Sequence, residues 1–148
     1  MSDQFAEKIM LAVTAVNECQ YCTRYHSELA RETGMDQATI DRLLESDIDA
    51  AVEDGERPAL LFAQAYAEAD EDPSPEAVGE LREAYGPAKA SDVQAFVRAI
   101  YFGNLVGNTY DAARFAARRR ARDGRRCLRN AAASVGQAIE RVRERCPV

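Results

Sequence analysis

The chain has 148 residues, of which 47% are hydrophobic and 30% charged, and its net charge is −6 at neutral pH. This length suits one domain with a sizeable core, and this composition is typical of a globular protein and excludes a largely disordered one. No apolar run approaches the roughly 18 residues of a membrane helix, and the first ten residues lack the regions of a signal peptide. We therefore predict a cytoplasmic protein without a membrane partner.

The N-terminal third has the spacing of amphipathic helices. Four apolar residues recur at intervals of three or four positions: Phe5, Ile9, Val13 and Val16. This periodicity predicts a first helix rather than a strand. A second helix is predicted to end before Gly34, and Asp36 is a candidate N-cap for a short third helix.

The rest of the chain also lacks strand patterns. Further helices are predicted over residues 57–70, 75–86 and 91–120, and about 127–145. Gly86 and Pro87 should end one of them, and Ser91 is a candidate cap of the next. The predicted fold class is all-α, with one domain over residues 1–120. A C-terminal helical extension over residues 121–148 is predicted to join it near Gly124.

Residues 16–26, VNECQYCTRYH, contain two cysteines three positions apart and the single histidine of the chain. If a helix begins at the first cysteine, then Cys19, Cys22 and His26 share one face. Cβ atoms at this spacing lie about 5–6 Å apart, so a reversible disulfide is sterically reasonable. The helix N-terminus favours a thiolate, and His26 adds a nearby base.

Other interpretations of the cysteine pair remain. A c-type haem site is excluded because Thr23, not histidine, follows the second cysteine, and a thioredoxin-like fold needs a preceding strand. Zinc could use Cys19, Cys22 and His26, but a closed structural site needs a fourth ligand. The candidates for that ligand are Glu7, Cys127 and Cys146. The cysteines could also simply pack in a helical core, where free cysteine is common.

Charge is distributed unevenly along the chain. Residues 41–90 hold 14 acidic and four basic side chains, whereas residues 91–148 hold five acidic and 12 basic ones. The run RFAARRRARDGRR could contact phosphates, but the chain is acidic overall and no nucleic-acid-binding module accompanies the run. We therefore expect no nucleic-acid partner. The basic segment is expected to pair with the acidic region of the same or another subunit.

Glu7 lies twelve residues before Cys19, so the full pattern reads E-x11-C-x2-C-x3-H. This pattern resembles the signature of the alkylhydroperoxidase D-like branch of the carboxymuconolactone decarboxylase superfamily. The resemblance extends over roughly residues 5–118, including a late asparagine-containing helix at AIYFGNLVGNTYDAARF. The sequence departs from the family at Tyr21, where the best-characterised peroxidases carry a second histidine. Residues 119–148 have no counterpart that resembles the family core.

The resemblance implies a thiol-dependent peroxidase with no cofactor, acting on a small-molecule peroxide. Cys22 would be the nucleophile and Cys19 the resolving thiol, while His26 and Glu7 would form a proton relay. The resemblance also implies an external dithiol reductant such as a lipoyl-bearing protein. The true decarboxylases of the superfamily are not marked by paired cysteines. Two alternatives remain: a decarboxylase-like enzyme, and a non-enzymatic helical protein that senses redox state or binds metal.

The resemblance further implies a homo-oligomer, a trimer or a hexamer. The C-terminal segment adds a reason from the residues themselves. Val135, Ile139 and Val142 recur at spacings of four and three, and a lone terminal helix would leave this stripe partly exposed. We therefore expect the extension to take part in assembly.

Overall fold

The computed structural model describes residues 1–51, 53 and 55–145, which form six α-helices and contain no β-strand. The helices are α1 (Asp3–Asn17), α2 (Gln20–Glu32), α3 (Gln37–Leu44), α4 (Ile48–Ala51), α5 (Arg57–Glu68) and α6 (Pro75–Arg145). The predicted all-α fold is confirmed. None of these helices combines the length and the apolar composition of a membrane span.

Side-chain caps begin α1 and α3, and the sequence predicted the second of these caps. The Ser2 hydroxyl accepts the Phe5 N–H at 3.2 Å and caps α1. Asp36 caps α3 as predicted, because its carboxylate accepts the Thr39 N–H at 3.0 Å and satisfies a donor that the first turn leaves free. The second helix ends just before Gly34, also as predicted.

The later helices differ from the prediction in their limits. The segments predicted as three helices all lie within α6, which has a kink at Gly86, at φ 74° and ψ 166°, where one of the helices was predicted to end. A glycine tolerates this positive φ, and Pro87 is well suited to the first position of the helix that follows. The predicted cap at Ser91 is wrong, since Ser91 lies inside a helix, and Gly124 is helical as well.

The chain divides into two compact units, Met1–Thr109 and Tyr110–Val148. A compact unit need not be an independently folding domain, so the predicted division at residue 120 stays a prediction. In the second unit Arg119 and Asp123 approach to 3.9 Å, and Cys127 is an exposed free thiol. Val135 and Ile139 are exposed there, while the side chain of Val142 and the whole of Cys146 lie outside the described residues.

The core of the first unit is built around α1, which packs against α2, α3 and α5. The predicted stripe of α1 is buried at Phe5, Ile9 and Val13, and Val16 is partly buried. Along α6, four residues at helical spacing are also buried: Val93, Val97, Ile100 and Tyr101. Each fully buried aliphatic side chain of this kind contributes about 1.5–3 kcal/mol. This burial fixes the stretch of α6 that continues to residues 103–108.

Candidate redox site

The two cysteines lie at the start of α2, immediately after a one-residue turn. Glu18 closes α1 in the left-handed conformation, at φ 50° and ψ 32°. Cys19 then caps α2, and its sulfur accepts the Cys22 N–H at 3.3 Å. The Cα atoms of the two cysteines are 5.3 Å apart, and their sulfurs are joined as a disulfide. The sequence pattern correctly predicted a pair that could close at a helix N-terminus.

Burial distinguishes the two cysteines. Cys19 is fully buried, whereas Cys22 keeps 6% of its surface exposed. Access is one determinant of which sulfur an external reagent attacks, so Cys22 is the better target. The N-cap position of Cys19 would stabilise negative charge on its sulfur once the disulfide opens, because a backbone N–H and the helix dipole both point at it.

Glu7 and His26 form a pair between α1 and α2. Glu7 Oε2 lies 2.9 Å from His26 Nδ1, and the two side chains are only 14% and 13% exposed. A carboxylate oxygen only accepts hydrogen bonds, so Nδ1 donates and Nε2 is the ring nitrogen left for proton exchange. This arrangement orients the imidazole and fixes its tautomer. The structure thus brings together two of the residues that the sequence pattern had linked.

Two tyrosines flank this pair on the outer face of α2. The rings of Tyr21 and Tyr25 are nearly parallel, with centroids 6.4 Å apart, and both side chains are largely exposed. The rings of Tyr25 and His26 are nearly perpendicular, with centroids 5.2 Å apart. Tyr25 thereby helps to hold the imidazole in place, while Tyr21 stands where the resemblance implies a second histidine.

Helix α6 approaches the disulfide through two glycines that the sequence analysis did not assign to the site. The Gly103 carbonyl oxygen is 3.9 Å from Cys22 Sγ. A Cβ added at Gly107 would lie 2.7 Å from Cys19 Sγ and 3.2 Å from Cys22 Sγ, too close for an ordinary contact. The four-residue spacing of these glycines was the available signal, because glycine permits close backbone approach.

A set of polar residues, called here the polar ladder, joins α1 to α6, and the sequence analysis did not predict it. It consists of Thr14 and Asn17 on α1 with Asn104 and Asn108 on α6. The Thr14 hydroxyl donates to Asn104 Oδ1 at 3.2 Å, and Asn108 Nδ2 donates to the Asn17 carbonyl at 2.8 Å. The buried Nδ2 atoms of Asn17 and Asn104 have no hydrogen-bond partner within the described part of the chain. A buried donor without a partner costs about 1–3 kcal/mol, so each needs an explanation.

The described residues contain no group of three or more His, Cys, Asp or Glu side chains that could hold a metal ion. Of the fourth ligands considered for zinc, Glu7 is engaged with His26 and Cys127 is an exposed free thiol. Cys146 lies outside the described residues.

The fold and the site define an all-α protein with a redox-capable Cys-x-x-Cys pair beside a Glu–His pair. Residues 2–65 match the model of the carboxymuconolactone decarboxylase family. This match covers less than half of the chain, from the start of α1 into α5. It contains four residues of the site: Glu7, Cys19, Cys22 and His26. No curated protein matches the chain.

Proposed function

We propose that the protein is a thiol-dependent peroxidase that cycles Cys19 and Cys22 between dithiol and disulfide. The observation that carries this proposal is the position of the Cys19–Cys22 disulfide at the N-terminus of α2, the helix whose His26 is held by Glu7. The match of residues 2–65 to the family model supports assignment to the carboxymuconolactone decarboxylase superfamily. We choose the peroxidase branch because of the paired cysteines, which the resemblance does not associate with the decarboxylases.

The first step would be oxidation of Cys22. His26, one turn further along α2, takes the thiol proton directly or through one water, and the thiolate attacks the peroxide. The S–O bond forms as the O–O bond breaks, and the alcohol or water leaves with the proton from His26. Cys22 becomes a sulfenic acid. We assign this role to Cys22 rather than Cys19 because only Cys22 retains exposed surface.

The second step would close the disulfide. Cys19 attacks the sulfur of the Cys22 sulfenic acid, the S–O bond breaks, and oxygen leaves as water with the thiol proton. One thiol of an external dithiol then attacks Cys22, and Cys19 leaves as a thiolate that the α2 N-terminus stabilises. The second thiol of the reductant attacks its own sulfur in this mixed disulfide, which releases Cys22 as a thiol and leaves the reductant as a disulfide. A lipoyl-bearing protein is the reductant that the resemblance implies. Because Tyr21 stands where the resemblance implies a second histidine, the proton relay consists of Glu7 and His26 alone.

Thiol counting tests the proposed function. Anaerobically reduced protein, treated with one equivalent of hydrogen peroxide, should lose two thiols and gain one disulfide between Cys19 and Cys22. Peptide mapping identifies the pair, and metal analysis on the same sample tests the metal-binding alternative. Sustained peroxide consumption with an added dithiol distinguishes an enzyme from a redox sensor that reacts once. Unchanged thiols after peroxide would rule out the proposed function.

Glu7→Gln should slow the oxidation of reduced Cys22 by about tenfold to a hundredfold, below the full effect of losing a general base. Glutamine can present its N–H₂ group to Nδ1 and thereby select the wrong tautomer of His26. Stopped-flow mixing with hydrogen peroxide, repeated across neutral pH, measures the rate. The control is Glu28→Gln, which changes an exposed carboxylate of α2, the helix that carries His26. Equal rates for both variants would contradict a role for Glu7.

We also propose that the protein is a cytoplasmic homo-oligomer, a trimer or a hexamer. The exposed Val135 and Ile139 side chains support an additional contact through the C-terminal segment. Sedimentation of the full chain measures the assembly state, and a monomer at micromolar concentration would contradict this proposal. Deleting residues 121–148 should lower the order or the stability of the assembly while sparing Cys22 oxidation.

A further inference from the structure

Among the described residues, buried side-chain nitrogen or oxygen atoms without a partner occur at two positions, Asn17 and Asn104. Both atoms are amide nitrogens, so both are hydrogen-bond donors. Asn104 is fully buried. Because buried donors are nearly always satisfied in folded proteins, two such donors in one region point to a group that they bind.

Both asparagines are close in sequence to residues that lie at the disulfide. Asn17 is two residues before Cys19, across the one-residue turn at Glu18. Asn104 directly follows Gly103, whose carbonyl oxygen is 3.9 Å from Cys22 Sγ. It lies one turn before Gly107, the residue with no room for a Cβ beside the two sulfurs.

Other hydrogen bonds hold these residues in position without using their N–H groups. The Thr14 hydroxyl donates to Asn104 Oδ1, which fixes the orientation of that amide. The backbone carbonyl of Asn17 accepts from Asn108. The Asn104 amide is therefore oriented before any ligand is present, and the buried donors of Asn104 and Asn17 both require an acceptor atom.

The peroxidase reaction produces such an acceptor at this place. We infer that Asn17 and Asn104 donate hydrogen bonds to the oxygen atom that a peroxide leaves on Cys22, an inference that rests on the proposed function. When Cys19 attacks the sulfenic acid, the S–O bond electrons move to this oxygen before it leaves as water. Preorganised neutral donors stabilise that developing negative charge.

The test compares two oxidants on the fully reduced chain. Hydrogen peroxide places oxygen on sulfur, whereas diamide accepts two electrons from the dithiol without doing so. Leucine is close to asparagine in size and has no donor. In Asn104→Leu, disulfide formation by peroxide should slow by about a hundredfold, the scale of losing one oxyanion donor. Disulfide formation by diamide should be little changed.

Asn108→Leu is the matched comparison, because its amide already has a partner and its loss disturbs only the ladder. That variant should change both oxidant rates by the same factor. If Asn104→Leu also changes both rates equally, or changes neither, the inference is overturned. Circular dichroism checks that the variants fold, and Asn17→Leu, on the other helix, decides the question if Asn104→Leu does not fold.

The outcome for the unchanged chain separates this inference from the proposed function. If the unchanged protein does not form the disulfide with peroxide, the proposed function fails and the inference fails with it. If the unchanged protein reacts and Asn104→Leu reacts equally fast, only the oxygen-binding role of the asparagines is lost.

Discussion

Cys22→Ser is expected to abolish peroxide consumption, whereas Cys19→Ser should allow one oxidation and accumulate a sulfenic acid on Cys22. The first variant removes the attacking sulfur, and the second removes only the thiol that resolves the sulfenic acid. Serine is also a favourable N-cap, so Cys19→Ser preserves the start of α2. Mass spectrometry after trapping with dimedone measures the sulfenic acid, and a coupled dithiol assay measures turnover.

Cys127→Ser is the matched control, because it removes an exposed free thiol from the second unit. It should consume peroxide at the rate of the unchanged chain. The opposite pattern, in which Cys19→Ser blocks the first oxidation and Cys22→Ser does not, would reverse the assigned roles. Sulfenic acid found on Cys127 instead would move the chemistry away from the paired cysteines.

Gly107→Ala should destabilise the oxidised protein by about 1–3 kcal/mol, the usual scale of overpacking a core. The added methyl group would lie 2.7 Å from Cys19 Sγ, so the disulfide or the α6 backbone must shift. The dithiol form can rotate its sulfurs away, and the equilibrium with a dithiol buffer should therefore move towards the reduced protein. Thermal unfolding and thiol–disulfide equilibration measure the two effects.

Gly103→Ala provides the comparison within the same helix. A Cβ at Gly103 meets no atom within 4 Å, so the substitution should be tolerated. Alanine is favoured over glycine by about 1 kcal/mol inside a helix, and this variant should match or exceed the stability of the unchanged chain. Equal effects of the two alanines would show that the approach of α6 to the sulfurs does not require a glycine at Gly107.

The parts of the site that could be predicted from the sequence are local. Asp36 acts as a cap through bonds to a residue three positions away, and the apolar stripe of α1 follows directly from helix geometry. The cysteine pair is also local, since a helix N-terminus and a three-residue spacing suffice to place it. Glu7 and His26 were linked by resemblance, and the short turn at Glu18 explains how they meet.

The contribution of α6 could not be predicted in the same way. Thr14 and Asn104 are 90 positions apart, and helical periodicity does not say which helices become neighbours. Helix α4 was missed because four residues are too few to show a period or to form a stable helix alone. Glycine often interrupts helices, yet Gly124 is helical, because a single glycine inside a long helix lowers its stability only modestly.

Because the turn at Glu18 is a single residue, the spacing of the motif along the chain determines whether its side chains can meet. Helix α2 begins directly after Cys19, so the connection between the two helices that carry Glu7 and His26 is too short to absorb a change in spacing. One extra residue inside α2 would rotate every later side chain by about 100° and advance it by about 1.5 Å. His26 would then face away from its carboxylate although every residue type of the motif was retained. The number of residues between the motif positions is therefore as much a part of the chemistry as the residues themselves.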